Sequence, residues 1–200
     1  MTWPLTKRIE DYLDRVEGLI PNDVGLYLAE QASLVEPPNW IINIGVYKGK
    51  SVGYLSAGAA EGVSVFGIDP WDMPGNQTGR FRYANPATRA ACLLNIRRMI
   101  DFGVMKGESV FVEQDFSTKA AEIWDKPVGL VFIDGDHGYD SVLNDGLAWF
   151  PYVVKKGKLI LDDYDTPRNP GVKQAAERLS SMWKIPYTVE VERLAVFDIP

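Results

Sequence analysis

The chain has 200 residues, 46% of them hydrophobic and 24% charged, with a formal net charge of -6, which fits one soluble globular domain with a substantial core. The negative charge argues against a long nucleic-acid backbone as partner, since counterion release needs a basic face, and only Arg80, Arg82, Arg89, Arg97 and Arg98 form a local exception. A lone Cys92 rules out an internal disulfide and points to a cytoplasmic protein, Lys7, Arg8, Glu10 and Asp11 exclude a secretory signal, and no apolar run is long enough for a membrane span.

In chain order, Leu5, Ile9, Tyr12, Leu13, Val16, Leu19 and Ile20 recur at three- and four-residue steps and predict one amphipathic helix. Pro21-Asn22-Asp23 restarts a second helix that ends before Pro37-Pro38. This extension, residues 1–38, can cap a pocket, pack outside the sheet, or form a subunit contact in a homodimer or higher homo-oligomer. Near-continuous apolar runs then predict strands at Trp40 to Val46, Val63 to Ile68, Ser109 to Val112, Val128 to Ile133 and Lys158 to Leu161. Helical spacing fills the intervals at Lys50 to Ala60, Pro86 to Phe102, Thr118 to Trp124 and Tyr139 to Phe150. Residues 71–85, rich in Gly, Pro, Asn and Arg, read as a lid loop, because long loops in compact domains are usually functional or disordered. Asn169 and Pro170 open a helix reaching Trp183, and Tyr187 to Val191 with Leu194 to Asp198 predict an antiparallel pair at one sheet edge. The fold class is α/β: a doubly wound, mostly parallel sheet in a single domain, 1–200, preceded by N-terminal helices.

The first strand passes through Asn43, Gly45, Tyr47, Gly49 and Ser51 into a helix, a turn that lets the backbone approach a ligand beside free N–H groups. With Gly45, three residues, then Gly49-Lys50-Ser51, the loop is one residue short of a phosphate-binding P-loop and also misses the dinucleotide spacing. A nucleotide-phosphate enzyme survives as the rival reading, since Leu130 to Asp134 imitates its second motif. Asp69, Pro70 and Trp71 end the second strand, where an acid can accept both ribose hydroxyls and an indole can lie on a purine. A loop-capping Asp69 with Trp71 as core filler is the plain alternative. Asp115 falls where a purine amine would lie, or where a helix needs an N-cap.

Two further strands end in carboxylates, one in Asp134, Asp136 and the only histidine, His137, the other in Asp162 and Asp163. In a parallel sheet both ends open into the same crevice. Carboxylates gathered without a nearby basic residue call for a cation, and hard oxygen donors favour Mg. Metal ligation competes with plain turn-bracing roles, for Asp163 above all.

Together, Gly45-x-x-x-Gly49-x-Ser51, Ile68-Asp69-Pro70-Trp71, Phe132-Ile133-Asp134-Gly135-Asp136-His137-x-Tyr139, Asp145, Lys156-Gly157-x-Leu159-Ile160-x-Asp162-Asp163-Tyr164 and Pro170-Gly171-Val172-Lys173-x-Ala175 resemble the class I S-adenosylmethionine-dependent methyltransferases. The nearest likeness is to metal-dependent sugar O-methyltransferases of the macrocin type, with catechol O-methyltransferase more distant. The resemblance implies a Rossmann-like sheet from about Trp40 onward. It implies that the Gly45 loop holds the methionine part of S-adenosylmethionine, Asp69 the ribose, and Asp115 with Phe116 the adenine. It also implies Asp134, Asp162 and Asp163 as ligands of a divalent metal, and Asp136 or His137 as base. Asn43 stands where the family often carries Glu, which removes an anionic partner for the cofactor's ammonium. The acceptor implied is a hydroxyl on a small molecule, a sugar or a phenolic natural product. A cofactor-binding module without turnover is the non-enzymatic alternative.

Overall fold

The computed structural model describes residues 4–73 and 86–200. Its elements are α1 (Lys7–Asp14), α2 (Asn22–Ser33), β1 (Trp40–Ile44), α3 (Lys50–Gly58), β2 (Ser64–Ile68), α4 (Pro86–Phe102), β3 (Val110–Glu113), α5 (Ser117–Glu122), β4 (Val128–Ile133), α6 (Tyr139–Trp149), β5 (Val153–Leu161), α7 (Pro170–Trp183), β6 (Tyr187–Glu190) and β7 (Leu194–Asp198). The strands form one sheet in the order β3-β2-β1-β4-β5-β7-β6. The first five are parallel, and β7 runs antiparallel to both β5 and β6. Strand order reverses between β1 and β4, so the ligand crevice of a doubly wound sheet falls at the ends of these two strands.

Alternation along the strands explains why both faces are covered. Ile41, Leu130 and Phe132 point to a core shared with Leu13, Leu28, Tyr54 and Met99, which brings α1 to α4 onto one face. Ile42, Ile44, Val131 and Ile133 point to the opposite core with Val142, Trp149, Val172 and Leu179, contributed by α6 and α7. Each fully buried Leu or Ile stabilises the fold by roughly 1.5–3 kcal/mol, so these two layers fix where the strand ends lie. Among the described residues no helix is long and apolar enough to cross a membrane.

Three departures from the sequence pattern have local causes. The first helix stops at Asp14 instead of reaching Ile20, because residues 15–21 turn onto the start of α3: a Cβ on Gly18 would sit 2.4 Å from the Cβ of Lys50. Leu19, assigned by spacing to the apolar face, is 62% exposed. Strand β5 begins at Val153, five residues earlier than expected, because its pairing with β4 jumps from Val128↔Val153 to Leu130↔Lys158 and residues 154–157 bulge out. The C-terminal pair forms as expected, but β7 is inserted between β5 and β6, so of these two strands β6 is the edge. Most of the expected lid, residues 74–85 with Arg80 and Arg82, lies outside the described residues. Arg89, Arg97 and Arg98 are exposed on α4, and Arg97 pairs with Asp101 at 3.1 Å.

Candidate active site

A cleft of about 850 Å³ opens at the β1/β4 switch point. Its floor is the loop from β1 to α3. Gly45 adopts φ +83°, and a Cβ there would come within 2.0 Å of the Asp134 carbonyl oxygen, so only glycine lets the ends of β1 and β4 lie side by side. Gly49, with φ +88°, caps the start of α3 in the left-handed region. The Val46 and Tyr47 amides donate to Asp69 Oδ2 at 2.9 and 2.8 Å, and the Trp71 amide donates to Asp69 Oδ1 at 2.7 Å. Burial pushes the Asp69 carboxyl above its ordinary value, and these three amide bonds oppose the shift. Trp71 is 2% exposed and its Nε1 donates to the Tyr47 carbonyl at 3.0 Å.

Asp69 and Trp71 therefore do what the plainer reading asked: they brace the glycine loop and fill core. Both also line the cleft with Gly45, Tyr47, Ser51, Pro70 and Phe116. Asn43, Gly49 and Asp115 are not among the lining residues. Asn43 is fully buried, its Nδ2 donating to the Gly45 carbonyl at 3.1 Å while Oδ1 lacks a partner. Asp115 accepts the Phe116 amide at 2.7 Å, and Phe116, not Asp115, is the N-cap of α5. Gly18, Leu19 and Ile20 supply a wall of the cleft. That segment is held to the loop by Lys48 pairing with Glu17 and by Lys50 Nζ donating to the Asp14 carbonyl at 3.2 Å. The helices α1 and α2 themselves pack on the sheet face, and only the segment between them reaches the pocket.

Beneath the rim formed by Phe116, Trp149 Nε1 donates to Ser117 Oγ at 3.0 Å, and Ser117 Oγ donates to Asp145 Oδ1 at 2.7 Å. Burial pushes the Asp145 carboxyl up to about 6, with the Ser117 bond opposing and Asp136 repulsion adding. Asp136 accepts the Ser141 hydroxyl at 2.7 Å and the Gly138 amide at 3.3 Å, so it braces the start of α6.

Asp134, Asp162, Asp163 and His137 converge in the same cleft, as adjacent parallel strand ends require. His137 Nε2 lies 3.5 Å from Asp134 Oδ1 and 3.4 Å from Asp163 Oδ2, too long for good hydrogen bonds, and is otherwise unpartnered. Burial, with repulsion from Asp162, pushes the Asp134 carboxyl up to about 7. Burial alone would depress the imidazole, but Asp134, Asp163 and Asp162 outweigh it and hold His137 above its ordinary value.

The cation among these acids belongs to the chain itself. Arg193 Nε and Nη2 donate to Asp162 Oδ1 and Oδ2, both at 2.8 Å, and Nη2 also reaches Asp163 Oδ1. Asn169 Nδ2 donates to Asp163 Oδ2 at 2.6 Å instead of capping α7 with its side chain. The side chains do not stand as the expected divalent-metal centre on Asp134, Asp162 and Asp163 would: Arg193 and Asn169 bond two of those carboxylates, and among the described residues no group of three or more His, Cys, Asp or Glu side chains is arranged to hold a metal ion. Arg193 escaped the sequence reading because it lies about thirty residues beyond the acids. The signal that could have found it was the antiparallel return of β7 along β5, which pairs Leu161 with Ala195.

A doubly wound sheet with a glycine turn after β1, a loop-bracing acid after β2 and an acid and histidine cluster after β4 defines the class I S-adenosylmethionine-dependent methyltransferase architecture. Residues 42–164 match the Methyltransferase domain family, and the chain belongs to it. A stretch of 53 residues is 40% identical to uncharacterized protein R132 of Acanthamoeba polyphaga mimivirus, covering 26% of this chain and 24% of that protein. The chain thus spans about a quarter of that curated relative. Among solved structures it is similar to the calicheamicin methyltransferase CalS11 (TM-score 0.66, 18% identity, 96% of this chain and 91% of that one). It is also similar to CalS11 in its apo form, described as a TDP-rhamnose 3'-O-methyltransferase (TM-score 0.60, 20% identity, 96% and 93% covered). An O-methyltransferase from Bacillus cereus in complex with S-adenosylhomocysteine is a third (TM-score 0.68, 13% identity, 98% and 93% covered).

Proposed function

We propose that this chain transfers the methyl group of S-adenosylmethionine to a hydroxyl of a small molecule, a sugar or a phenol. The observation that carries the reading is the placement of His137 in the same cleft as the glycine loop, between two carboxylates. The cleft volume lies within the range of small-molecule sites. The cofactor fits the residues present: Gly45, Tyr47, Asp69, Trp71 and Phe116 line one continuous cleft.

When bound, S-adenosylmethionine supplies an electrophilic methyl whose bond to sulfur breaks, with its electron pair, as the acceptor oxygen attacks. The chain's part is mostly positioning, which can supply about 7–11 kcal/mol of a bimolecular barrier. Gly45 and Tyr47 hold the donor end of the cleft, and Phe116 and Ser117 border the purine end. His137 takes the acceptor proton at Nε2, the ring atom facing Asp134 and Asp163. Asp136 is the weaker base, because Ser141 and Gly138 already hold its oxygens. Asp69 keeps the loop in shape while presenting its remaining lone pairs to a ribose. No step is routed through a metal, since Arg193 and Asn169 occupy the oxygens of Asp162 and Asp163 that one would need.

Incubating the protein with methyl-labelled S-adenosylmethionine and separate sugar and phenol panels tests this reading. Label should appear on an acceptor hydroxyl, with one S-adenosylhomocysteine formed per methyl. Label found only on nitrogen or carbon acceptors would refute hydroxyl transfer.

A further inference from the structure

We propose that the guanidinium of Arg193 takes the charge-balancing place of a divalent cation at the acid cluster, so that His137 is positioned without a bound metal; this rests on the methyl-transfer reading. The turn carrying Arg193 has a fixed backbone. Val191 and Glu192 adopt φ +49° and +56°, a conformation that non-glycine residues rarely hold and that a β-branched side chain resists. The Arg193 amide donates to the Glu190 carbonyl at 3.1 Å, and its carbonyl accepts from the Tyr164 amide at 2.8 Å, so both ends of its peptide frame are fixed. Because β7 runs antiparallel to β5, this fixed turn lands beside the strand end that carries Asp162 and Asp163.

From there the planar fork meets Asp162 through two parallel bonds and shares Nη2 with Asp163. Asp162 is only 2% exposed, so its charge has no solvent to fall back on and depends on this partner. Asn169 takes the remaining oxygen of Asp163. Only the Asp134 carboxylate is left without such a donor, and a hard cation asks for six or more oxygen ligands. A cation entering here would have to expel an arginine that cannot lose its proton, or sit against its charge. Arg193 is thus a positioning residue: by holding Asp163 it fixes the carboxylate that, with Asp134, frames His137 Nε2.

The test uses the full chain freed of metal. For the wild type, calorimetric titration with Mn should give no saturable binding, Mg or Mn should leave the melting temperature unchanged, and a chelator should leave kcat unchanged. Arg193→Gln should acquire saturable Mn binding and a melting temperature that rises with Mn. Its kcat should fall about 100-fold, the scale of a misplaced reacting group, while KM for S-adenosylmethionine stays near wild type. Arg193→Lys, which keeps the charge without the fork, should lie between the two and covers the case in which Arg193→Gln does not fold. One tightly bound Mn on the wild type, or loss of wild-type turnover on chelation, would overturn the proposal. So would a variant no more responsive to Mn than the wild type. Metal binding and melting are read without turnover, so failure of methyl transfer itself would appear separately, as no labelled methyl transferred by the wild type.

Discussion

Replacing Asp145 by Asn should stabilise the protein above neutral pH and do nothing in acid. Burial raises this carboxyl from an ordinary 3.8 to about 6. Between those values the folded chain holds a proton that the unfolded chain has released, so stability falls as pH rises through this window. At 1.36 kcal/mol per unit, the loss is at most about 3 kcal/mol, complete above about pH 6. Asparagine keeps the shape of the neutral acid, and its Oδ1 can still accept the Ser117 hydroxyl that Asp145 accepts at 2.7 Å. Urea unfolding at pH 4 and pH 8 reads the difference directly, provided the slope with denaturant is the same for both proteins. The variant should match wild type at pH 4 and gain up to about 3 kcal/mol at pH 8, or roughly 6–12 degrees in melting temperature. A gain of equal size at both pH values, or a loss at pH 8, would refute the burial argument.

Other outcomes follow from the same geometry. His137→Ala should lower kcat by about 100- to 10,000-fold, the range for a positioned base, while leaving S-adenosylhomocysteine binding intact in calorimetry. Because the flanking carboxylates raise the imidazole, and only its neutral form accepts a proton, wild-type kcat should climb with pH along a limb centred above 6.5. Asp163→Asn should move that limb down, as read from the pH profile of initial rates. Gly45→Ala puts a methyl 2.0 Å from the Asp134 carbonyl oxygen at a left-handed φ, so it should cost about 3 kcal/mol or more in chemical denaturation and abolish cofactor binding.

Much of this site could be read from strand runs alone. The apolar run Val128 to Ile133 has no surface-facing position, which marks a central strand, and every residue of it is buried. Once β4 and β5 are neighbours in a parallel sheet, Asp134 and Asp162 must meet, and they do. What stayed hidden depends on contacts that no local pattern encodes. Val191-Glu192 offers none of the Asn or Gly signals of a tight turn, so only the register of β7 against β5, which the sequence does not state, places Arg193 against Asp162. The unpaired carboxylates inferred from sequence therefore suggested a metal, where the chain supplies its own cation. Asp69 was legible as an acid at the right strand end, but whether its oxygens serve a ribose or the Val46 and Tyr47 amides depends on how tightly the loop folds back. The helix expected to reach Ile20 failed for a similar reason: Gly18 fits under Lys50 only if the chain turns there.

Cofactor recognition is the claim on which the rest stands, and it is tested by titrating S-adenosylhomocysteine, ATP and NAD separately into the metal-free protein. The structure leads us to expect saturable one-to-one binding of S-adenosylhomocysteine, with a rise of about 5–11 degrees in melting temperature at about 100 times its dissociation constant. Binding of ATP or NAD with no response to S-adenosylhomocysteine would contradict the account.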